Sequence, residues 1–241
     1  MKNIYNELKK AKSKETSAND LRVLLENENE QVKQASISNE SFTEMMQIAI
    51  ASDTNISEDK IRLLANSNFY IVRNCIAMNK ECPIDIIEEF FEKKDALMGV
   101  SSNPRTPVKI IEELLNFDRG IYKEFISSNS TTPIYILEQL SASAEDDIRV
   151  NTILNSSTPN YIINSLINDK SSSVRLAITK SPNVTKEILT ILLKDENIDV
   201  SQQAKDNLKK MRTSKEINDE VNEKLEKNKD LNLNDEFNII C

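Results

Sequence analysis

The chain has no histidine and no tryptophan, and only two glycines and three cysteines in 241 residues. Without histidine there is no Ser–His or Cys–His nucleophilic pair, no imidazole general base and no imidazole metal ligand. Any catalysis would fall to carboxylates, lysine or cysteine. Gly99 and Gly120 cannot build a glycine-rich phosphate loop, and neither GxGxxG nor GxxxxGK[ST] occurs. Cys75, Cys82 and Cys241 lack the CxxC spacing of zinc and iron–sulfur centres. An odd number of thiols with no leader segment reads as a protein of a reducing cytoplasm. Cys241 is the last residue, so it is no prenylation signal. No apolar run approaches the roughly 20 residues of a membrane span. The net charge of −8 disfavours nucleic acid and favours basic partners. These absences lead us to expect a non-enzymatic protein with no cofactor, no metal and no membrane segment.

What the chain does contain is a segment that returns. VRNCIAMNKECP (72–83) reappears as IRVNTILNSSTP (148–159) and VRLAITKSPNVT (174–185), with looser copies at 122–133, 96–107 and 32–43. Asn79, Asn103, Asn129 and Asn155, then Ser181 and Asn207, set steps of 24, 26, 26, 26 and 26 residues. A period in this range belongs to stacked supersecondary units, each unable to bury its apolar side alone. Residues 132–155 show the pattern. Thr132 is placed to cap a helix with Pro133 at its first position. Ile134, Ile136, Leu137 and Leu140 fall largely on one stripe. SASAEDD interrupts, IRVNTIL supplies a second and much shorter helix, and Asn155 ends it. No period-2 alternation competes. The expected fold is all-α, a solenoid of about seven short helical repeats.

Residues 1–16 read as an N-terminal capping helix. Residues 17–208 read as the array, with a compressed unit near 42–53 where MQIAIASDTNIS (46–57) matches VRLAITKSPNVT and one helix is missing. Residues 209–241 read as a charged helix, with Ile217, Val221 and Leu225 on a narrow stripe, followed by a mobile tail.

The string VR-x-x-hydrophobic-x-x-Asn-x-x-[Thr/Cys]-Pro, followed by x-x-Ile-hydrophobic-x-x-Leu, resembles the leucine-rich repeat variant family and, more distantly, HEAT-like repeats. The resemblance covers roughly residues 17–208. It implies α helices alternating with 3₁₀ or short α helices in a right-handed α/α superhelix used for binding. Some relatives carry an N-terminal cysteine cluster, but no cysteine precedes Cys75 here, so that function does not transfer. HEAT-like alkylpurine DNA glycosylases are similar in total length. They line a basic face with aromatics and a catalytic carboxylate, which the missing tryptophan and negative charge of this chain do not match.

Five charged residues near the start of second helices, Lys33, Arg73, Lys123, Arg149 and Arg175, would align in a stack, with lapses at Leu97 and Ser201. They read either as a basic groove for an acidic peptide or phosphate or, preferentially, as a structural ladder pairing with Asp146, Asp147 or Asp169 across the breaks or with the next unit. Asn39, Asn79, Asn103, Asn129, Asn155 and Asn207 read as helix stops, since asparagine tolerates left-handed dihedrals and bonds nearby backbone. Cys75 reads as a small buried residue. Cys82 stands in a Thr place, where a helix N-terminus lowers a thiol pKa. Glu88, Glu89, Glu112, Glu113 and Glu138 occupy matching positions on first helices and read as a solvated face.

The expected function is a scaffold that binds another protein of basic character, in an immunity or adaptor role, with the short second helices lining the binding face. Two alternatives are a nucleic-acid-binding repeat protein using the Arg series and a self-associating element docking residues 231–241 on a neighbour.

Overall fold

The structure, a computed structural model, describes residues 2–117 and 120–211, apart from the side chains of residues 2 and 3. Among the described residues every regular element is an α-helix and there is no strand. The chain divides into two compact units, Met1–Leu140 and Ser141–Cys241. The first holds α1 (Lys2–Lys12), α2 (Ala18–Leu24), α3 (Glu30–Ile37), α4 (Glu44–Ala51), α5 (Glu58–Leu64), α6 (Tyr70–Met78), α7 (Ile84–Glu92), α8 (Leu97–Ser102), α9 (Val108–Leu115), α10 (Ile121–Ser128) and α11 (Ile134–Ser141). The second holds α12 (Asp146–Leu154), α13 (Asn160–Ser165), α14 (Ser172–Lys180), α15 (Lys186–Leu192) and α16, over 198–211. The charged stripe at 217–225 and the tail lie outside the described residues.

The second helices of successive pairs, together with α1 and α4, pack on one another. In the first unit α1 lies on α3, α4 on α6, α6 on α8 and α8 on α10; in the second α12 lies on α14. Helix α9 shows why. Ile110, Ile111 and Leu114 are buried, while Val108, Lys109, Glu112 and Glu113 face outward. Such a helix has one apolar stripe and must share it with neighbours. The second unit buries Ile153, Ile163, Val174, Ile178, Leu189 and Val200 in one cluster.

Two local expectations are corrected. The second helix of a pair is not regularly the shorter one: α12 and α14 have nine residues against eight and six in α11 and α13, and only α8, with six against nine in α7, fits the expectation clearly. The polar break contributes Asp146 and Asp147 to the first turn of α12, where carboxylates complement the helix dipole. All these helices are α, with no 3₁₀ partner. The Thr–Pro pair is also offset by one. Pro83, Pro107 and Pro159 are themselves the N-caps of α7, α9 and α13. The threonine hydroxyls turn backward instead: Thr106, Thr132 and Thr158 each donate to the carbonyl six residues earlier, at Val100, Ile126 and Thr152. These threonines are at most 5 % exposed. Closing a buried carbonyl of the preceding helix is worth more than capping a helix whose first amides reach solvent.

The 24-residue step has its own geometry. Helix α8 is only six residues long, and the turn before it uses left-handed backbone at Lys94 (φ 54°) and Ala96 (φ 48°). The Asp95 amide donates to the Phe90 carbonyl at 2.9 Å, a Schellman closure of α7. Within α8, Gly99 meets α6 so closely that a Cβ would sit 2.6 Å from both the Ala77 Cβ and the Asn74 carbonyl oxygen. We expect Gly99→Ala to destabilise by about 1–3 kcal/mol through overpacking, despite the better helix propensity of alanine. A fall in urea midpoint of the variant checks this.

Candidate interaction surface

The arginines of the second helices are held in ion pairs within the fold. Arg73, Arg149 and Arg175 repeat one arrangement. Each guanidinium makes a two-pronged bond to a carboxylate 20 or 22 residues later: Asp95, Asp169 and Asp195, respectively. Each also donates through Nη1 to the carbonyl six residues earlier, at Ser67, Ser143 and Asp169. The side chains of Arg149 and Asp169 are 5 % and 7 % exposed. The aspartates in turn receive the next backbone amides, from Ala96, Ser171 and Asn197. Thus Asp169 pairs with the arginine of the preceding helix pair and offers Arg175 only its carbonyl. Asp146 does pair with Arg149, at 2.7 Å. Lys33 reaches Glu30 and Asp59. Lys123 is half-buried, and the residue twenty positions on, Ser143, carries no carboxylate.

Two further rungs escaped the sequence reading because they have different chemistry. Gln47 is buried, accepts from the Ser67 hydroxyl at 2.6 Å, and donates to the Ile37 and Phe42 carbonyls. Asn27 donates to Glu7 at 2.9 Å. Both pairs span the same twenty residues as Arg149 and Asp169. The signal was the register position and not the residue type.

The asparagines form a second ladder. Asn39 donates to the carbonyls of Ala11 and Ser13, Asn79 to Ala51 and Asp53, Asn103 to Ala77 and Asn79, and Asn129 to Ser101 and Asn103. Each Oδ1 receives the amide two residues on, as does that of Asn155. Asn79, Asn103, Asn129 and Asn155 are C-caps, but in extended and not left-handed backbone, such as φ −66°, ψ 127° at Asn79. Extended backbone aims the amide at the end of the like-placed helix one repeat earlier, whose last carbonyls lack partners. Asn39 follows the Ser38 cap. Asn207 ends nothing, since α16 runs past it, yet its Nδ2 still reaches the Thr179 carbonyl at 2.6 Å.

Ionisation follows from these contacts. Burial pushes the Asp169 carboxyl up, but its bonds to Arg149 and to the Ser171 amide prevail and hold it below the usual carboxylate range. The Arg175 guanidinium holds Asp195 low, and Ser171 with Arg149 does the same for Asp146. Unfolded aspartates titrate near pH ~3.9. A depressed folded pKa adds stability that is complete above that value and disappears as pH falls through the folded pKa. The urea midpoint of the second unit should therefore stay level down to about pH 5 and drop below about pH 4, with a shallower drop in Asp195→Asn. Cys82 behaves opposite to expectation. It is fully buried, and desolvation pushes its thiol up to about 12. Cys75 is half-buried and not a core residue.

With the ladders accounted for, the outward faces of α7, α9 and α11 stand apart. Each has an exposed aliphatic residue one turn before an exposed glutamate: Ile84 and Glu88, Val108 and Glu112, Ile134 and Glu138. The aliphatic residues are 44 %, 45 % and 50 % exposed. The corresponding pairs elsewhere are Glu58 and Arg62 on α5, Asn160 and Asn164 on α13, and Lys186 and Thr190 on α15. The three helices carry seven carboxylates and one lysine, Lys109. The Tyr135 hydroxyl of α11 bonds Glu112 of α9, and Arg62 of α5 bonds Asp85 of α7 at 2.7 Å, so neighbouring outward faces are linked across their edges. In comparisons with known proteins, no family model and no curated protein matches this chain.

Proposed function

We propose that the chain is a non-enzymatic helical-repeat scaffold that binds a basic protein, and that it does so through the outward faces of α7, α9 and α11. One observation carries this reading. An exposed aliphatic residue and a glutamate recur one turn apart on three successive first helices of one unit, and on no other described first helix. Single exposed aliphatics need no explanation, but a repeated apolar row with a charged rim is the composition of a binding surface. The net charge of −8 favours approach of a cationic partner. The face differs from the one anticipated, which was the second helices. Nucleic acid has less support, because Arg73, Arg149 and Arg175 are held in internal ion pairs.

The test is affinity capture from cell extract with the wild type, with the triple variant Ile84→Ser/Val108→Ser/Ile134→Ser, and with Glu88→Lys/Glu112→Lys/Glu138→Lys. Basic proteins enriched on the wild type should fall about tenfold or more on both variants, a loss of at least ~1.4 kcal/mol. Equal recovery on all three baits contradicts the proposal.

A further inference from the structure

We propose that the row formed by α4, α6, α8 and α10 is a face through which two copies of this chain pair. The inference uses other residues than the preceding functional reading and does not depend on it. The four helices pack in succession, α4 on α6, α6 on α8 and α8 on α10. Hydrogen bonds give them one register: Asn79 donates to the Ala51 and Asp53 carbonyls, as Asn103 does to those of Ala77 and Asn79 and Asn129 to those of Ser101 and Asn103. The places eight, five, four and one before Asp53, Asn79, Asn103 and Asn129 therefore share one side of each helix. Among the residues there are Met45, Ile71, Met78, Met98, Ile121 and Phe125. Met45, Ile71, Met78 and Ile121 are 73 %, 53 %, 52 % and 48 % exposed, and Met98 and Phe125 are half-buried. Large apolar side chains gathered on adjacent helices form a patch, which scattered surface aliphatics do not.

Charge selects the occupant. Helices α4, α6 and α8 carry two charged residues, Glu44 and Arg73, and Arg73 is already held by Asp95. Helix α10 adds Lys123 and Glu124, of opposite sign, at the end of the row. In the second unit the same places hold Asp147 and Lys180. Each copy has a net charge of −8, so two copies repel wherever carboxylates oppose one another. A face poor in charge is where they can meet. The composition agrees: homodimer contacts are more apolar than the rest of a protein surface, and interface cores are poor in charge and rich in methionine and aromatic residues. Methionine side chains adapt to what they touch, so one surface can fit a copy of itself. A contact made by the same residues on both copies closes at two.

The experiment is sedimentation equilibrium of the purified full chain. The wild type should approach the mass of two chains as concentration rises. Ile71→Glu/Met78→Glu sets carboxylates on the contact and should raise the dissociation constant at least about hundredfold, with an unchanged circular dichroism spectrum. The milder Ile71→Ser/Met78→Ser keeps the test decisive where glutamate disturbs α6, and should raise it about tenfold. Ile84→Ser/Val108→Ser/Ile134→Ser should dimerise like the wild type, so loss of the dimer and loss of a basic partner are separate results. A wild type with the mass of one chain at every concentration overturns the proposal. So does a dimer that both α6 variants leave intact. Loss of the dimer in Phe237→Ser/Ile239→Ser, two residues outside the described ones, overturns it as well and assigns the contact to the tail.

Discussion

Arg149→Ala is expected to destabilise the second unit by about 3–5 kcal/mol, the cost of stranding one member of a buried ion pair. The substitution leaves the Asp169 carboxylate, 7 % exposed, without its two guanidinium bonds, and it strips donors from the Ser143 and Ala144 carbonyls. The double variant Arg149→Met/Asp169→Asn should lose less than the sum of its singles. Asparagine can still accept the Ser171 amide, and no buried charge remains. Urea unfolding followed by circular dichroism measures all four corners of the cycle. A loss under about 0.5 kcal/mol for Arg149→Ala would mark the pair as an ordinary surface contact.

Asn103→Ala should cost the first unit about 2–4 kcal/mol, since each buried group left unpaired costs about 1–3. Its side chain is fully buried and serves three groups at once: the Ala77 and Asn79 carbonyls and the Arg105 amide. Asn103→Asp should be at least as harmful, because it keeps the acceptor for Arg105 but turns an anion toward two carbonyl oxygens. Asn79→Ala is the internal control. Asn79 makes the same three bonds at a half-buried position, so water can replace part of what is lost and the cost should be smaller.

Much of this was legible in the sequence as spacing. The apolar residues Ile136, Leu137 and Leu140 gave the helix and its buried stripe, and the asparagine steps marked positions that matter. Direction was not legible. Thr132 was read as capping the helix after it, yet its hydroxyl turns back to Ile126; Asn103 was read as bonding its own sequence neighbourhood, where a segment met in isolation finds its hydrogen bonds. In a stack the nearest unpaired carbonyls belong to the previous turn of the repeat, 24 to 28 residues away. Residue identity also misled. A rung needs a donor and an acceptor twenty residues apart, in either order, and Arg149 with Asp169, Gln47 with Ser67, and Glu7 with Asn27 meet that need with three different charge patterns. The glutamates of α7, α9 and α11 were visible as matching positions. Of their aliphatic companions, Ile134 was taken as part of the apolar stripe, and only accessibility separates it from Ile136.

The central claim is a division of labour, with polar ladders inside holding the helices together and the outer row of α7, α9 and α11 left for a cationic partner. It is tested most directly by affinity capture of basic proteins from cell extract with Glu88→Lys/Glu112→Lys/Glu138→Lys beside Asn79→Ala, with thermal midpoints taken on the same samples. The account predicts that the lysine variant recovers less by about tenfold or more at an unchanged midpoint, and that Asn79→Ala lowers the midpoint while recovering the wild-type amount below its transition. Unimpaired binding by the lysine variant, in a folded protein, would contradict it.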